Sequence, residues 1–343
     1  MSGANAGPIG QSHQQITSET RTIPAATGAK RDVVIETTGL TAYFGSKKAV
    51  DGLTMTVPRG SVFAFLGRNG SGKTTTIRML LGLMEPSRGS SRVLGYDSRR
   101  LPPEARARIG YMSESHSLYR WMTVRETGEY QSRFYPRWNE RIFQAIAGHF
   151  RLDPRAKAGR LSRGERAGLS LAITLAPEPE LLILDDPALG LDPVARHALL
   201  ESMIYVTRSA DRTIFFTSHS LEDVERVADY IAILDRSVLR ACCSTETFRS
   251  SIRQFVLYYS GTAAPPHEIR PLRGLLHARR STGELRLTIA APDASTEEAL
   301  EKLDAASIEE VPVSFNDAMI GYLGDRGSHS FLLEDMTALD SAR

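Results

Sequence analysis

The sequence predicts an α/β fold: a mostly parallel, helix-covered sheet with a mainly helical insertion, followed by a small C-terminal α+β domain. Three observations carry the prediction. Apolar strand-like segments alternate with helical patterns from about Val33 to Leu239. A buried-type apolar run, Ser61 to Leu66, leads into a glycine-rich loop and then a helical pattern. A second continuous apolar run, Leu181 to Leu184, ends in two adjacent acids, Asp185 and Asp186.

Residues 1–31 are rich in Gly, Ala, Ser, Thr and Gln and contain neither an apolar signal-peptide core nor an Arg-rich amphipathic pattern, so they read as a solvated, disordered tail. The first strands are expected at Val33 to Glu36, Thr54 to Val57 and Ser61 to Leu66, with a helix over Lys73 to Leu83 carrying Ile77, Leu80, Leu81 and Met84 at helical spacing. Helical patterning near Val124 to Phe134 and Trp138 to Phe150, separated by Pro136, marks a helical subdomain over about 112–170. Strands are expected again at Leu181 to Asp185, Thr213 to Thr217 and Tyr230 to Leu234. The pattern changes after Leu239. Short strands such as Phe255 to Tyr259, a hairpin around Ser281-Thr-Gly283 and a helix opened by a Ser295-x-x-Glu298 capping box follow, then a strand over Glu310 to Val313 and a helix over Ser314 to Tyr322. The expected division is an α/β unit over 32–240 and an α+β domain over 241–343 with a flexible end.

The loop after the third strand, Gly67-Arg-Asn-Gly70-Ser71-Gly72-Lys73-Thr74, is the Walker A pattern. Its glycines let the backbone curl so that successive N–H groups face a β-phosphate at the positive end of a helix dipole. Lys73 is placed to reach the β- and γ-phosphates, and the Thr74 hydroxyl to ligate magnesium. Gly67, Asn69, Gly70, Ser71, Gly72, Lys73, Thr74 and Thr75 are the expected phosphate-binding residues, with ATP and Mg2+ as the bound pair.

A central strand of a parallel sheet delivers acids to its C-terminal edge, so Asp185 is expected to hold the metal through its water shell and Asp186 to polarise the attacking water. The competing reading is a plain strand-ending turn, because Asp186-Pro187 is a common breaker.

Leu161-Ser-Arg-Gly-Glu165 precedes a helical run, and Leu189-Gly-Leu-Asp192 and Ser218-His219 follow the acids. With these in order, the region from about Val33 to Leu239 resembles the ATP-binding subunit of ABC transporters. The resemblance implies a P-loop ATPase core with a helical subdomain, and head-to-tail dimers that trap two ATP molecules. Ser162 and Gly164 then match the signature segment that contacts the γ-phosphate held by the other protomer. Asp192 matches the acid linking the two sites, and His219 the switch histidine that senses the γ-phosphate. Phe44 falls where the family places its adenine-stacking aromatic, with Tyr43 beside it; both also read as core residues at a strand end.

Three positions depart from the family pattern. Asp186 stands where Glu is usual, one methylene shorter, which sets the carboxylate roughly 1 Å back and costs up to about a hundredfold in rate. Hydrolysis is therefore expected, at reduced speed. Glu114 takes the place of the usual Gln, retaining an oxygen ligand for magnesium while adding charge; a solvated loop acid is the other reading. Arg163 and Glu165 replace a Gly and the Gln of the signature segment.

A net charge of +2 with no polybasic run disfavours direct nucleic-acid binding. No apolar stretch reaches the roughly 18–20 residues of a membrane helix. The two cysteines, Cys242 and Cys243, are adjacent and suit a reducing cytosol. The resemblance implies a motor at the cytoplasmic side of the membrane, held there by a separate transmembrane permease, as a homodimer or a heterodimer with a related subunit. In the family the permease docks near the Gln position, here around Ser117-Leu-Tyr-Arg-Trp121-Met122. Leu118, Tyr119 and Trp121 are candidate docking residues, although packing inside the helical subdomain is the expectation for at least two of them, as for the cluster from Phe134 to Trp138. The alternative classes are a soluble ABC-type ATPase outside transport and an ATP-gated module that hydrolyses slowly.

Overall fold

The computed structural model describes residues 32–210, 212–260 and 272–323. The expected tail at 1–31 and the extreme C-terminal end lie outside these. The chain begins with β1 (Val33–Phe44) and β2 (Lys47–Pro58), then β3 (Val62–Gly67), α1 (Lys73–Leu80), β4 (Arg88–Val93), β5 (Tyr96–Asp97), α2 (Pro103–Arg106) and β6 (Ile109–Met112). The insertion holds α3 (Val124–Ser132), α4 (Glu140–His149) and α5 (Arg163–Leu175). After it come β7 (Leu181–Leu184), α6 (Pro193–Ala210), β8 (Thr213–Ser218), α7 (Leu221–Val227), β9 (Tyr230–Asp235) and β10 (Val238–Ser244). The C-terminal part comprises α8 (Thr245–Ser250), β11 (Ile252–Tyr258), β12 (Leu275–Ser281), β13 (Glu284–Ala290), α9 (Ala294–Glu301), β14 (Ser307–Val311) and α10 (Phe315–Leu323).

The central sheet has the order β10-β9-β3-β8-β7-β6, parallel throughout except for the antiparallel pair of β9 and β10. β3, β7 and β8 are buried at every residue, which is why they read as unbroken apolar runs rather than alternating ones. Alternate side chains feed two layers. Ala64, Leu66, Leu182, Leu184, Ile214 and Phe216 face the helices α5, α6 and α7, while Phe63, Phe65, Ile183 and Phe215 face α1 and a second sheet. Phe63 stacks on Phe215 with ring centroids 5.7 Å apart.

That second sheet takes two of the strands expected in the mostly parallel one. Val33 to Glu36 and Thr54 to Val57 belong to the long antiparallel hairpin of β1 and β2, in a sheet ordered β2-β1-β4-β5. Its register pairs Ile35 with Val57 and Leu40 with Leu53, so one face carries the apolar residues that close over α1 and β3. Strand existence is a local property, but which sheet a strand joins depends on partners far along the chain.

The insertion folds as expected into helices with their own core, centred on Phe143, Leu152, Leu161 and Leu169. α3 starts at a capping box in which the Thr123 hydroxyl accepts from the Glu126 N–H and Glu126 accepts from the Thr123 N–H. α5 starts at a second, built from Ser162 and Glu165. Phe134 and Trp138 separate: Trp138 packs on the Phe143 ring, whereas Phe134 is 62% exposed, against the expectation that the cluster is core.

The C-terminal part contains a sheet ordered β12-β13-β11-β14 with the expected hairpin at Thr282-Gly283 and a core of Phe255, Leu257, Leu285, Leu287, Ile289 and Leu300. α9 is capped by Asp293, with Thr296 as the reciprocal partner, two residues before the expected Ser295 cap; an acceptor carboxylate there takes the Ser295 N–H and displaces the serine from that role. The expected division between 240 and 241 falls inside β10, and Phe315, Ala318 and Met319 of α10 join the same core as β3 and β8. Among the described residues no helix is long and apolar enough to cross a membrane.

Gly168 of α5 lies against Phe150, where an added Cβ would meet ring and Cβ atoms at 2.2–2.6 Å. Gly168→Ala is expected to destabilise the chain by about 1–3 kcal/mol through overpacking, read as a fall in the thermal unfolding midpoint.

Candidate nucleotide-binding site

In the central sheet β8 lies between β3 and β7, all three running the same way. The phosphate loop after β3, the acids after β7 and the Ser218-His219 pair at the end of β8 therefore meet at one edge. They surround a cavity of about 880 Å3 lined by Phe44, Lys47, Gly67, Arg68, Asn69, Gly70, Gly72, Lys73, Thr74, Thr75, Glu114, Asp185, Asp186, Ser218 and His219.

The loop needs its glycines. Gly72 adopts φ +110°, and a Cβ there would lie 2.2 Å from the Ala49 carbonyl oxygen; one on Gly67 would lie 2.3 Å from that of Leu234. α1 then begins at Gly72 with no side-chain cap and no acid in its first turn, so its first N–H groups face the cavity free for an anion. The Lys73 ammonium donates to the carbonyls of Gly67 at 2.7 Å and Arg68 at 3.2 Å, which holds it over the loop. Burial lowers the Lys73 pKa, opposed by the charges of Asp186, Asp185 and Glu114. Ser71 behaves differently from its neighbours: it does not line the cavity, and its hydroxyl is buried against Gly67 with no hydrogen-bond partner among the described residues.

The acids form one hydrogen-bonded unit with the end of β8. Asp185 is 3% exposed and accepts from the Thr217 hydroxyl at 2.8 Å. The Asp186 N–H donates to the same hydroxyl at 2.8 Å. The His219 Nδ1–H donates to Asp186 Oδ2 at 2.7 Å. Asp186 takes a left-handed backbone, φ +47°, which carries its short side chain into contact with His219. Burial raises the Asp186 pKa and nearby Asp185 adds to this, while the His219 hydrogen bond and charge and Lys73 oppose it.

Thr74, Asp185 and Glu114 line the same cavity and offer a hydroxyl and two carboxylates. This hard-oxygen set fits Mg2+, which binds through one or two carboxylates alongside phosphate oxygens and water rather than in an all-protein cage. No group of three or more His, Cys, Asp or Glu side chains suited to a metal occurs among the described residues.

Ser162, Gly164 and Asp192 are not brought to this cavity. They form a separate patch: Asp192 accepts from the N–H groups of Val194 and Ala195 at the start of α6, and Gly164 packs so closely on Ala195 that an added Cβ would stand 2.8 Å from its methyl. Arg163 sits in the first turn of α5 with no positive φ, and its Nη1 donates to the Gly190 carbonyl at 3.4 Å. The departures Arg163 and Glu165 therefore suit this backbone, Glu165 as the capping-box acid.

Sequence reasoning passed over Thr217, His116 and Leu323. Thr217 reads as one more strand residue, and only the register places it beside the acids. The buried His116 donates through Nε2 to the Pro187 carbonyl at 3.1 Å, tying the Glu114 loop to the acidic turn, and burial lowers its pKa. Leu323, from the last turn of α10, reaches the cavity wall from the far end of the chain.

A strand, phosphate loop and helix, with paired acids at the end of a parallel strand one place removed in the same sheet, define a P-loop nucleotide-binding fold. The ABC transporter family profile matches residues 50–189. The chain is 35% identical over 208 residues to the bacitracin transport ATP-binding protein BcrA of Bacillus licheniformis, covering 60% of this chain and 68% of that protein. It is 35% identical over 228 residues to the daunorubicin/doxorubicin resistance ATP-binding protein DrrA of Streptomyces peucetius, covering 65% and 69%. The Nod factor export ATP-binding protein I of Rhizobium meliloti is 37% identical over 217 residues, covering 62% and 64%. Among solved structures, an ATP-binding subunit of an ABC transporter superposes with a TM-score of 0.58 at 30% identity, covering 63% of this chain and 92% of that one. A nucleotide-free ATP-binding cassette, TM-score 0.53 at 22% identity with 62% and 92% coverage, shares the fold. The chain belongs to the family of ABC transporter ATP-binding subunits.

Proposed function

We propose that this chain is the ATP-hydrolysing motor of an exporter-type ABC transporter, working at the cytoplasmic side of the membrane on a separately encoded permease. The observation that carries the reading is the division of the site: the phosphate loop, both acids and His219 share one cavity, while Ser162, Gly164 and Asp192 lie together on a patch outside it. One chain thus holds half of each site, and a second copy or a related subunit supplies the signature patch across a head-to-tail dimer. The relatives named for bacitracin transport, for daunorubicin and doxorubicin resistance and for Nod factor export support an export role. On this reading the ATPase unit runs from residue 32 to the end of β10, with the helical subdomain at about 112–170 and the C-terminal part following it.

In the proposed site Phe44, which is 53% exposed at the cavity mouth, stacks on adenine. The loop N–H groups and Lys73 hold the phosphates, Lys73 exchanging its carbonyl partners for phosphate oxygens. Thr74, Asp185 and Glu114 would hold Mg2+, which would neutralise charge on the phosphate chain. Asp186 accepts the proton of the attacking water, and His219 steadies the carboxylate and senses the γ-phosphate. The left-handed turn at Asp186 carries the side chain to His219, while the carboxylate remains one methylene shorter than Glu, which supports slow hydrolysis.

The permease surface in this reading is an aromatic ladder on the helical subdomain. Tyr119 packs on Trp121 at 6.1 Å and edge-on to Tyr130 at 5.5 Å, and Tyr130 packs edge-on to Phe134 at 5.0 Å. Tyr119 and Trp121 are exposed, the latter by 66%, which overturns the expectation that two of the three candidates pack inside; only Leu118 joins the subdomain core. Aromatic rings held rigid on the surface suit the anchors of an interface.

Three outcomes test the reading. Asp186→Asn is expected to lower magnesium-dependent phosphate release by about 10²–10⁴-fold while nucleotide is retained; an unchanged rate removes Asp186 from its role. Because Asp186 must be ionised to accept a proton and its pKa is raised, activity should fall on acidification at a pH above 3.8, the ordinary value for its side chain, in a kcat profile. Trp121→Ala should weaken co-sedimentation with permease-bearing membranes by at least about tenfold, with the ATPase rate of the purified chain unaltered.

A further inference from the structure

We propose that Thr217 is a positioning residue for hydrolysis, its single hydroxyl setting the two acids of the site at once; this rests on the roles of Asp185 and Asp186 proposed above. The need for it arises from unequal strand lengths. β7 leaves the sheet after Leu184, which pairs with Phe216, while β8 runs on to Ser218. The Asp185 N–H still finds the Met112 carbonyl on β6 at 2.8 Å. The next N–H, that of Asp186, has left the ladder as the chain turns into the left-handed region, and it takes the Thr217 Oγ1 instead, at 2.8 Å.

A hydroxyl carries one hydrogen and two lone pairs, so the same oxygen that accepts from Asp186 donates to Asp185 Oδ1, at 2.8 Å. Thr217 is 0% exposed and Asp185 3%, so a polar group here that loses its protein partner carries a burial cost. β-Branching restricts the Thr217 rotamer, and its place opposite Phe65 on β3 fixes its backbone. One rigid side chain thus sets the Asp185 carboxylate and the turn that aims Asp186 at His219, 2.7 Å away. It is not among the residues that line the cavity, and it acts through its two neighbours.

The test compares Thr217→Val, which keeps shape and loses the hydroxyl, with Thr217→Ser, which keeps the hydroxyl, in the full chain. Thr217→Val is expected to lower kcat by about 10–100-fold with the KM for ATP changed by less than about threefold. It should also raise the Mg2+ concentration needed for half-maximal turnover, because the Asp185 carboxylate is released. Thr217→Ser should retain kcat to within about threefold of the parent, a rescue that loss of packing alone would not show. Nucleotide retention reports that each variant is folded, and Thr217→Ala replaces Thr217→Val in the comparison if the latter does not fold. A hydroxyl-free variant with parental kcat, or a serine variant as impaired as valine, overturns the proposal. The outcomes separate cleanly from the reading beneath it: if Asp186→Asn stops turnover and the valine variant does not, only the role of Thr217 falls.

Discussion

The parallel ladder of β3, β8 and β7 is the constraint on which the rest of the molecule depends. Each strand is buried on both faces, so its backbone groups must be satisfied within the sheet and its side chains must be apolar almost throughout. Polar chemistry is then confined to the edge where the strands stop. Because the strands are parallel, that edge brings the phosphate loop together with the paired acids and the histidine, which lie more than a hundred residues further along the sequence.

The edge is electrostatically balanced by geometry. Lys73 and Asp186 are both buried enough that desolvation disfavours their charges, and each is relieved by the other and by its own hydrogen bonds. Such a site favours a ligand that brings charge of its own: phosphate oxygens for the ammonium and the bare helix N-terminus, and a divalent cation for the carboxylates. The residues that hold this balance in place, Thr217 and His116, make their bonds to neighbouring site segments, which couples the ends of β6, β7 and β8 into one unit.

Around that unit, the fold divides its surfaces. The insertion has its own core and carries an exposed aromatic ladder, whereas α10 of the C-terminal part shares the core of the ATPase sheet and brings Leu323 to the cavity wall. A domain that looks appended along the chain is thus packed directly behind the segment that follows His219, since α10 contacts α7 and β9.

The sequence by itself determined which residues mark the site. Gly67, Gly72, Lys73, Thr74, Asp185 and Asp186 are set by local rules of phosphate wrapping and strand termination, which act over a few residues and leave a readable spacing. Part of the secondary structure was legible for the same reason, but β1 and β2 extend well past the expected Val33 to Glu36 and Thr54 to Val57, the cap of α9 lies at Asp293, and β4, β6, β10 and α6 were not anticipated. The tertiary structure alone decided which sheet each strand joins, that Tyr119, Trp121 and Phe134 stay exposed, and that a strand threonine, Thr217, bonds both acids. Those outcomes depend on register and on packing between segments distant in the chain, and neither is encoded in any local pattern.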